Sequence, residues 1–184
     1  MDITAKILEK SREFRTKKFD RLGKFFVRLG ISANLATSLS IICGFGAVYF
    51  LFQSYWLFLA FAILHLILDG LDGVIARAEN KSGKFGEYFD HIGDSLISLL
   101  FLGKIWLFLN DYYILIIMGL FILMNLIHFI SRLNYPWTNF RTIVIILLAF
   151  NLHTVAYLAA GVITIYALAL QFKHFLDKSF PRKH

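Results

Sequence analysis

The sequence predicts an all-α integral membrane protein, with six transmembrane helices preceded by an N-terminal amphipathic interfacial helix. Three observations predict it. Of 184 residues, 58% are hydrophobic, above the roughly 45–50% apolar share of an ordinary soluble domain. Charged residues make up 17% and are bunched, so that residues 142–171 hold no Asp, Glu, Lys or Arg. The apolar residues fall into six blocks, and six crossings at about 20 residues each would use roughly 120 residues, most of the chain. A water-soluble globule is excluded.

Taken in order, residues 3–29 alternate Lys and Arg with Phe14, Phe19, Leu22, Phe25, Phe26 and Leu29. Spacings of three and four give a helix with one apolar stripe, suited to lying on the membrane. Apolar blocks follow at 33–53, 56–76, 85–108, 113–132, 138–151 and 154–172. The fifth is short and expected to tilt or to merge with the sixth around 151–153. The organisation is therefore residues 1–30 as a basic amphipathic juxtamembrane helix and 31–184 as a six-helix transmembrane domain. The first spanning helix is expected to serve as the insertion signal, because the first thirty residues lack the pattern of a cleaved leader.

The charges test the count. Lys and Arg gather in the N-terminal segment, the connections at 77–84 and 132–141, and the tail at 173–184, whereas 53–55, 110–113 and 151–153 have none. Basic residues favour the cytoplasmic side, so both termini are expected there. The net charge of +7 follows the same pattern: nine of the nineteen Lys and Arg lie in the first thirty residues, where anionic headgroups rather than nucleic acid are the expected partner. The single cysteine, Cys43, excludes an internal disulfide and a cysteine metal cluster. It stands in an apolar run and reads as packing.

Carboxylates occur where the membrane makes them expensive. Asp69 and Asp72 close the second block, and Asp90 and Asp94 open the third. Each costs roughly 3 kcal/mol or more at membrane depth. Asp69, Asp72, Gly73 and Ala76 share one helix face, and Gly86, Asp90, Gly93 and Asp94 share another. The short connection after Ala78 allows the two faces to converge at the cytoplasmic interface. Four crowded acids need compensation, which divalent cations provide, and oxygen-only ligands favour Mg²⁺ or Mn²⁺. Arg77 adds a fixed cation suited to a diphosphate. This set points to phosphoryl or phosphatidyl transfer.

The stretch reads DGLDGVIARAENKSGKFGEYFDHIGD. It resembles the signature of the CDP-alcohol phosphotransferase (CDP-alcohol phosphatidyltransferase) family, D-x-x-D-G-x-x-A-R, eight residues, then G-x-x-x-D-x-x-x-D. Asp69, Asp72, Gly73, Ala76, Arg77, Gly86, Asp90 and Asp94 fill all eight defined positions. The resemblance implies displacement at the β-phosphate of a CDP-linked alcohol by an acceptor hydroxyl, with release of CMP and two divalent ions. It implies that Asp69, Asp72, Asp90 and Asp94 are metal ligands, with Asp94 also the general base. Gly73, Ala76, Arg77 and Gly86 would line the nucleotide site. Asn34 and Thr37 match the family's P-N-x-x-T at the start of the first spanning helix, without its proline, and would contact the cytidine end.

The donor and acceptor are expectations of the same kind. Chain length favours a CDP-lipid donor, CDP-diacylglycerol or CDP-archaeol, and a small polar acceptor. The wording from Gly86 to Leu96 is closer to the choline and ethanolamine phosphotransferases, which take a CDP-amino alcohol and diacylglycerol. Ser40 stands where phosphatidylglycerol-phosphate synthases often carry arginine. Cys43, Gly44 and Phe45 are similar to phosphatidylserine synthases, whose Phe and Pro run after the last motif aspartate is missing here. Arg132 and Arg141 lie where inositol-phosphate users place basic residues, and are the candidate acceptor-binding pair. His65 faces the same side as Asp69, as a partner of the acids or in a helix–helix hydrogen bond. His91 lies off the acid stripe. Gly44 and Gly46 suit close helix packing, including a contact in a homodimer. An intramembrane cation transporter would also explain buried acids, but it predicts acids near the bilayer midplane and internal repeats. The sequence shows neither.

Overall fold

The computed structural model describes residues 21–79, 84–131 and 140–179. All regular structure among them is helical. Six helices follow in order: α1 (Ala33–Phe50), α2 (Tyr55–Ala78), α3 (Lys84–Leu109), α4 (Tyr113–Ser131), α5 (Phe140–Ala149) and α6 (His153–Ser179). They match the six apolar blocks within a few residues, except that α6 continues beyond its block. Of the expected interfacial helix, residues 21–28 are helical, and residues 3–20 lie outside the described part. There Arg21, Lys24 and Arg28 are exposed beside Phe25 and Leu29, the mixed surface of a helix between lipid and water.

Among the described residues, five helices are long and apolar enough to cross a bilayer, and α5 has only 10 residues. At 1.5 Å per residue that is about 15 Å, half of a hydrocarbon core about 30 Å thick. The expected block ran to residue 151, but residues 150–151 form a turn. Asn151, at φ 58°, ends the run, as asparagine tolerates the left-handed region better than other side chains.

The helices group into two compact units, one ending at Gly93 and the other beginning at Asp94. In the first unit α1 and α2 pack side by side. Ser32 caps α1, its hydroxyl accepting from the Leu35 N–H at 3.3 Å. Gly46 makes the close approach possible: a Cβ there would lie 2.6 Å from the Phe61 ring, and Phe61 stacks on Phe50 with centroids 5.6 Å apart. Gly46 is thus used within one chain. The first turns of α3 rest on α1 in the same way, since a Cβ on Gly93 would meet Ile41 at 2.5 Å.

In the second unit α6 packs against α4 and α5. Phe121 of α4 stacks on Phe140 of α5 with centroids 4.6 Å apart. Asp111 ties the α3–α4 turn to α6: one oxygen accepts from the Tyr113 N–H at 3.0 Å and the other from the Tyr157 hydroxyl at 2.6 Å. Tyr112 and Tyr113 beside it are largely exposed, as expected of aromatic residues at a membrane interface.

Candidate active site

Three carboxylates come together in the first unit. Oxygens of Asp69, Asp72 and Asp90 all lie within 4.8 Å of one another. Helical repeat puts Asp69 and Asp72 on one face of α2, and the packing of early α3 on α1 brings Asp90 to them. Asp72 is 7% exposed. Two oxygens on opposite sides of a Mg²⁺ at about 2.1 Å would be roughly 4.2 Å apart, so the observed spacing fits one hard cation after small side-chain adjustments. The donor set is all oxygen, as Mg²⁺ or Mn²⁺ prefers.

The surroundings leave room on one side. A methyl group added at Gly73 would meet nothing within 4 Å among the described residues, so the α2 surface beside Asp72 is open to a ligand. At Gly86 an added Cβ would meet Asn34 Oδ1 at 3.6 Å, which sets the start of α3 beside the start of α1. Asn34 and Arg77 are exposed and Ala76 is half-buried.

Thr37, expected at the nucleotide, is bonded to one of the acids. Its Oγ1 donates to Asp72 Oδ2 at 2.7 Å, and both groups are buried. One turn along α1, Ser40 meets His65 of α2. The His65 ring Nδ1 donates to the Ser40 carbonyl at 2.8 Å, and the Ser40 hydroxyl donates to the His65 carbonyl at 3.1 Å. His65, with no exposed surface, is therefore used in the helix–helix hydrogen bond. Sequence reasoning missed Ser40 and the Thr37–Asp72 bond. A signal existed: Thr37 and Ser40 stand three apart on α1, and His65 and Asp72 seven apart on α2, so each helix carries a matching polar stripe.

Asp94 begins the second unit, and there it forms an ion pair with Arg141 at the start of α5. The side chains are 13% and 5% exposed. Two residues assigned separately from sequence, a base and an acceptor-binding cation, are thus partners. Next to Asp94, Ser95 donates to Asn125 Oδ1 at 2.9 Å, and Asn125 donates to the Phe121 carbonyl at 2.8 Å, joining α3 to α4. Arg132, the other expected acceptor-binding residue, lies outside the described residues.

The comparison with known proteins agrees with the motif. The model of the CDP-alcohol phosphatidyltransferase family matches residues 30–173. The chain belongs to that family. Among similar proteins, a CDP-diacylglycerol–serine O-phosphatidyltransferase of Helicobacter pylori is 38% identical over 80 residues, covering 38% of this chain and 33% of the relative. An archaetidylinositol phosphate synthase of Pyrococcus horikoshii is 35% identical over 98 residues, covering 52% of each. The matches thus span a third to half of these relatives' lengths.

Proposed function

We propose that the protein transfers a phosphatidyl-type group from a CDP-lipid, CDP-diacylglycerol or CDP-archaeol, to the hydroxyl of a small polar acceptor. CMP is released. The observation that carries this reading is the cluster of Asp69, Asp72 and Asp90 beside the open surface at Gly73, inside the family motif. Asp69, Asp72 and Asp90 would hold a divalent ion, and Asp94 would share in a second. Bound there, Mg²⁺ or Mn²⁺ supplies charge neutralisation for the diphosphate and its leaving group.

This chain's residues do the rest. Thr37 holds Asp72 in one orientation through its hydroxyl. Gly73 and Gly86 let the nucleotide approach the backbone, with Ala76 beside them, while Asn34 and Arg77 are exposed to meet the cytidine and the phosphates. Asp94 takes the proton of the acceptor hydroxyl. The hydroxyl oxygen then bonds to the lipid-bearing phosphorus as the bond to CMP breaks, and CMP leaves with the electron pair. Arg132 and Arg141 bind the acceptor when it carries a phosphate. The basic connections support a cytoplasmic site and cytoplasmic termini.

The direct test is CMP release by the purified protein with each CDP-lipid, Mg²⁺ or Mn²⁺, and a panel of acceptors. The relatives' names put serine and inositol phosphate first in that panel. Turnover with a CDP-lipid is expected. Release only from CDP-choline with diacylglycerol would instead establish the choline-type reaction that the wording around Asp90 favours.

Thr37 supplies a second test. Residues that hydrogen-bond to metal ligands typically change metal affinity about 10–100-fold when removed. Thr37→Val should raise the Mn²⁺ concentration for half-maximal rate by about tenfold, with the donor KM little changed. Thr37→Ser, which keeps the hydroxyl, should behave as wild type. A raised donor KM at saturating Mn²⁺ would return Thr37 to the nucleotide.

A further inference from the structure

Within the second unit, a pocket of about 520 Å³ opens between α4 and α6. Its walls are Leu, Ile and Phe side chains, among them Ile127 and Ile130 of α4 and Leu168, Phe172 and Phe175 of α6. Ile130, Phe172 and Phe175 are exposed, and both helices are long and apolar enough to cross a bilayer. The pocket therefore opens toward lipid. One polar residue joins the lining among the described residues: Gln171, 2% exposed. Its Nε2 donates to the Met124 carbonyl of α4 at 3.2 Å. Turning the amide over would set its oxygen against that carbonyl, so the bond fixes the amide's orientation. Oε1 is left buried without a hydrogen-bond partner. Buried amide oxygens are seldom left so, because each costs its desolvation, and hydrocarbon holds no water to repair the loss.

We propose that this pocket binds a neutral lipid with a free hydroxyl, a long-chain alcohol in chemical class. Its chain lies along Ile127, Leu168 and Phe172, and its hydroxyl donates to Gln171 Oε1. Three features select that occupant. The volume falls within the roughly 300–1,000 Å³ of sites that hold small molecules, and an aliphatic chain fills apolar walls without burying an unpaired polar atom. No charged side chain lines the pocket among the described residues, so a phosphate or ammonium group inside it would lack a counter-charge. That leaves a neutral polar end. The amide oxygen needs a donor, which a hydroxyl supplies. None of these residues belongs to the family motif, so the inference stands apart from the reading of the donor and acceptor.

The test places the full chain in nanodiscs of phosphatidylcholine, whose quaternary headgroup has no O–H or N–H to donate. Oleyl alcohol or its methyl ether is added in increasing mole fraction, and the amount retained per chain is read by native mass spectrometry. Wild type should half-saturate with the alcohol at about a tenfold lower mole fraction than with the ether, the margin expected when a donor meets a buried acceptor. Gln171→Met keeps the length of the side chain without its amide oxygen, and should bind the two alike. Leu168→Trp fills the pocket with an indole and should reduce retention of both. Thermal midpoints in the same nanodiscs should agree, oleyl alcohol raising that of wild type more than that of Gln171→Met. Equal half-saturation by alcohol and ether in wild type would overturn the inference whether or not the variants fold. So would a preference for the alcohol that persists in Gln171→Met, or undiminished retention in folded Leu168→Trp.

Discussion

Asp72→Asn should lower CMP release from a CDP-lipid by about a thousandfold while the helices remain folded. Asparagine keeps the size of the side chain and an oxygen that can accept from Thr37, so the α1–α2 contact survives. What it loses is the negative charge among three carboxylates whose oxygens lie within 4.8 Å of one another. A neutral amide oxygen is a far weaker ligand for a hard divalent ion, and the charge stabilisation supplied by such an ion amounts to several kcal/mol. At about 1.4 kcal/mol per tenfold in rate, a loss of roughly 4 kcal/mol gives the thousandfold. The folded state should be no less stable, because burying a neutral group costs less than burying a carboxylate. Initial rates at saturating Mn²⁺, with the thermal midpoint measured on the same preparation, check both halves. A folded variant retaining more than about a tenth of the wild-type rate, a cost near 1.4 kcal/mol, would remove Asp72 from the metal set.

That such an experiment could be framed from sequence reflects how strongly a membrane constrains residue choice. Acids are rare at depth, so Asp69, Asp72, Asp90 and Asp94 stand out without any structure, and helical repeat sorts them onto two faces. The helices themselves were legible for the same reason, each block of apolar residues needing a helix to satisfy its backbone away from water. The end of α5 was not legible, because Phe150 extends the apolar run while the backbone turns at Asn151. Nor were the partners of the acids. Which residue of α1 meets Asp72 depends on how Gly46 seats against Phe61, a matter of side-chain packing that periodicity does not contain. Arg141 was visible as a basic residue at a helix start. Its pairing with Asp94 required the three-dimensional arrangement of α3 and α5, and it changes the meaning of both residues.

Asp94→Asn is where that change matters most. As the base that takes the acceptor proton, Asp94 should contribute about 10²–10⁴-fold to turnover. The variant should lose that much in kcat, while Asp69, Asp72 and Asp90 still take up an ion and the CDP-lipid still binds. The Arg141 pair adds a second, separable effect. Asparagine offers the guanidinium an oxygen but no charge, leaving a buried cation. Breaking a buried pair by removing one partner costs about 3–5 kcal/mol, and the retained hydrogen bond offsets part of it, so the thermal midpoint should fall. Adding Arg141→Gln removes that charge and should recover the midpoint, while turnover should stay far below that of Arg141→Gln alone, the reference for any loss of acceptor binding. If the double variant regained the midpoint and matched the rate of Arg141→Gln alone, the loss in Asp94→Asn would be structural. A folded Asp94→Asn enzyme turning over at close to the wild-type kcat would assign the proton to another group.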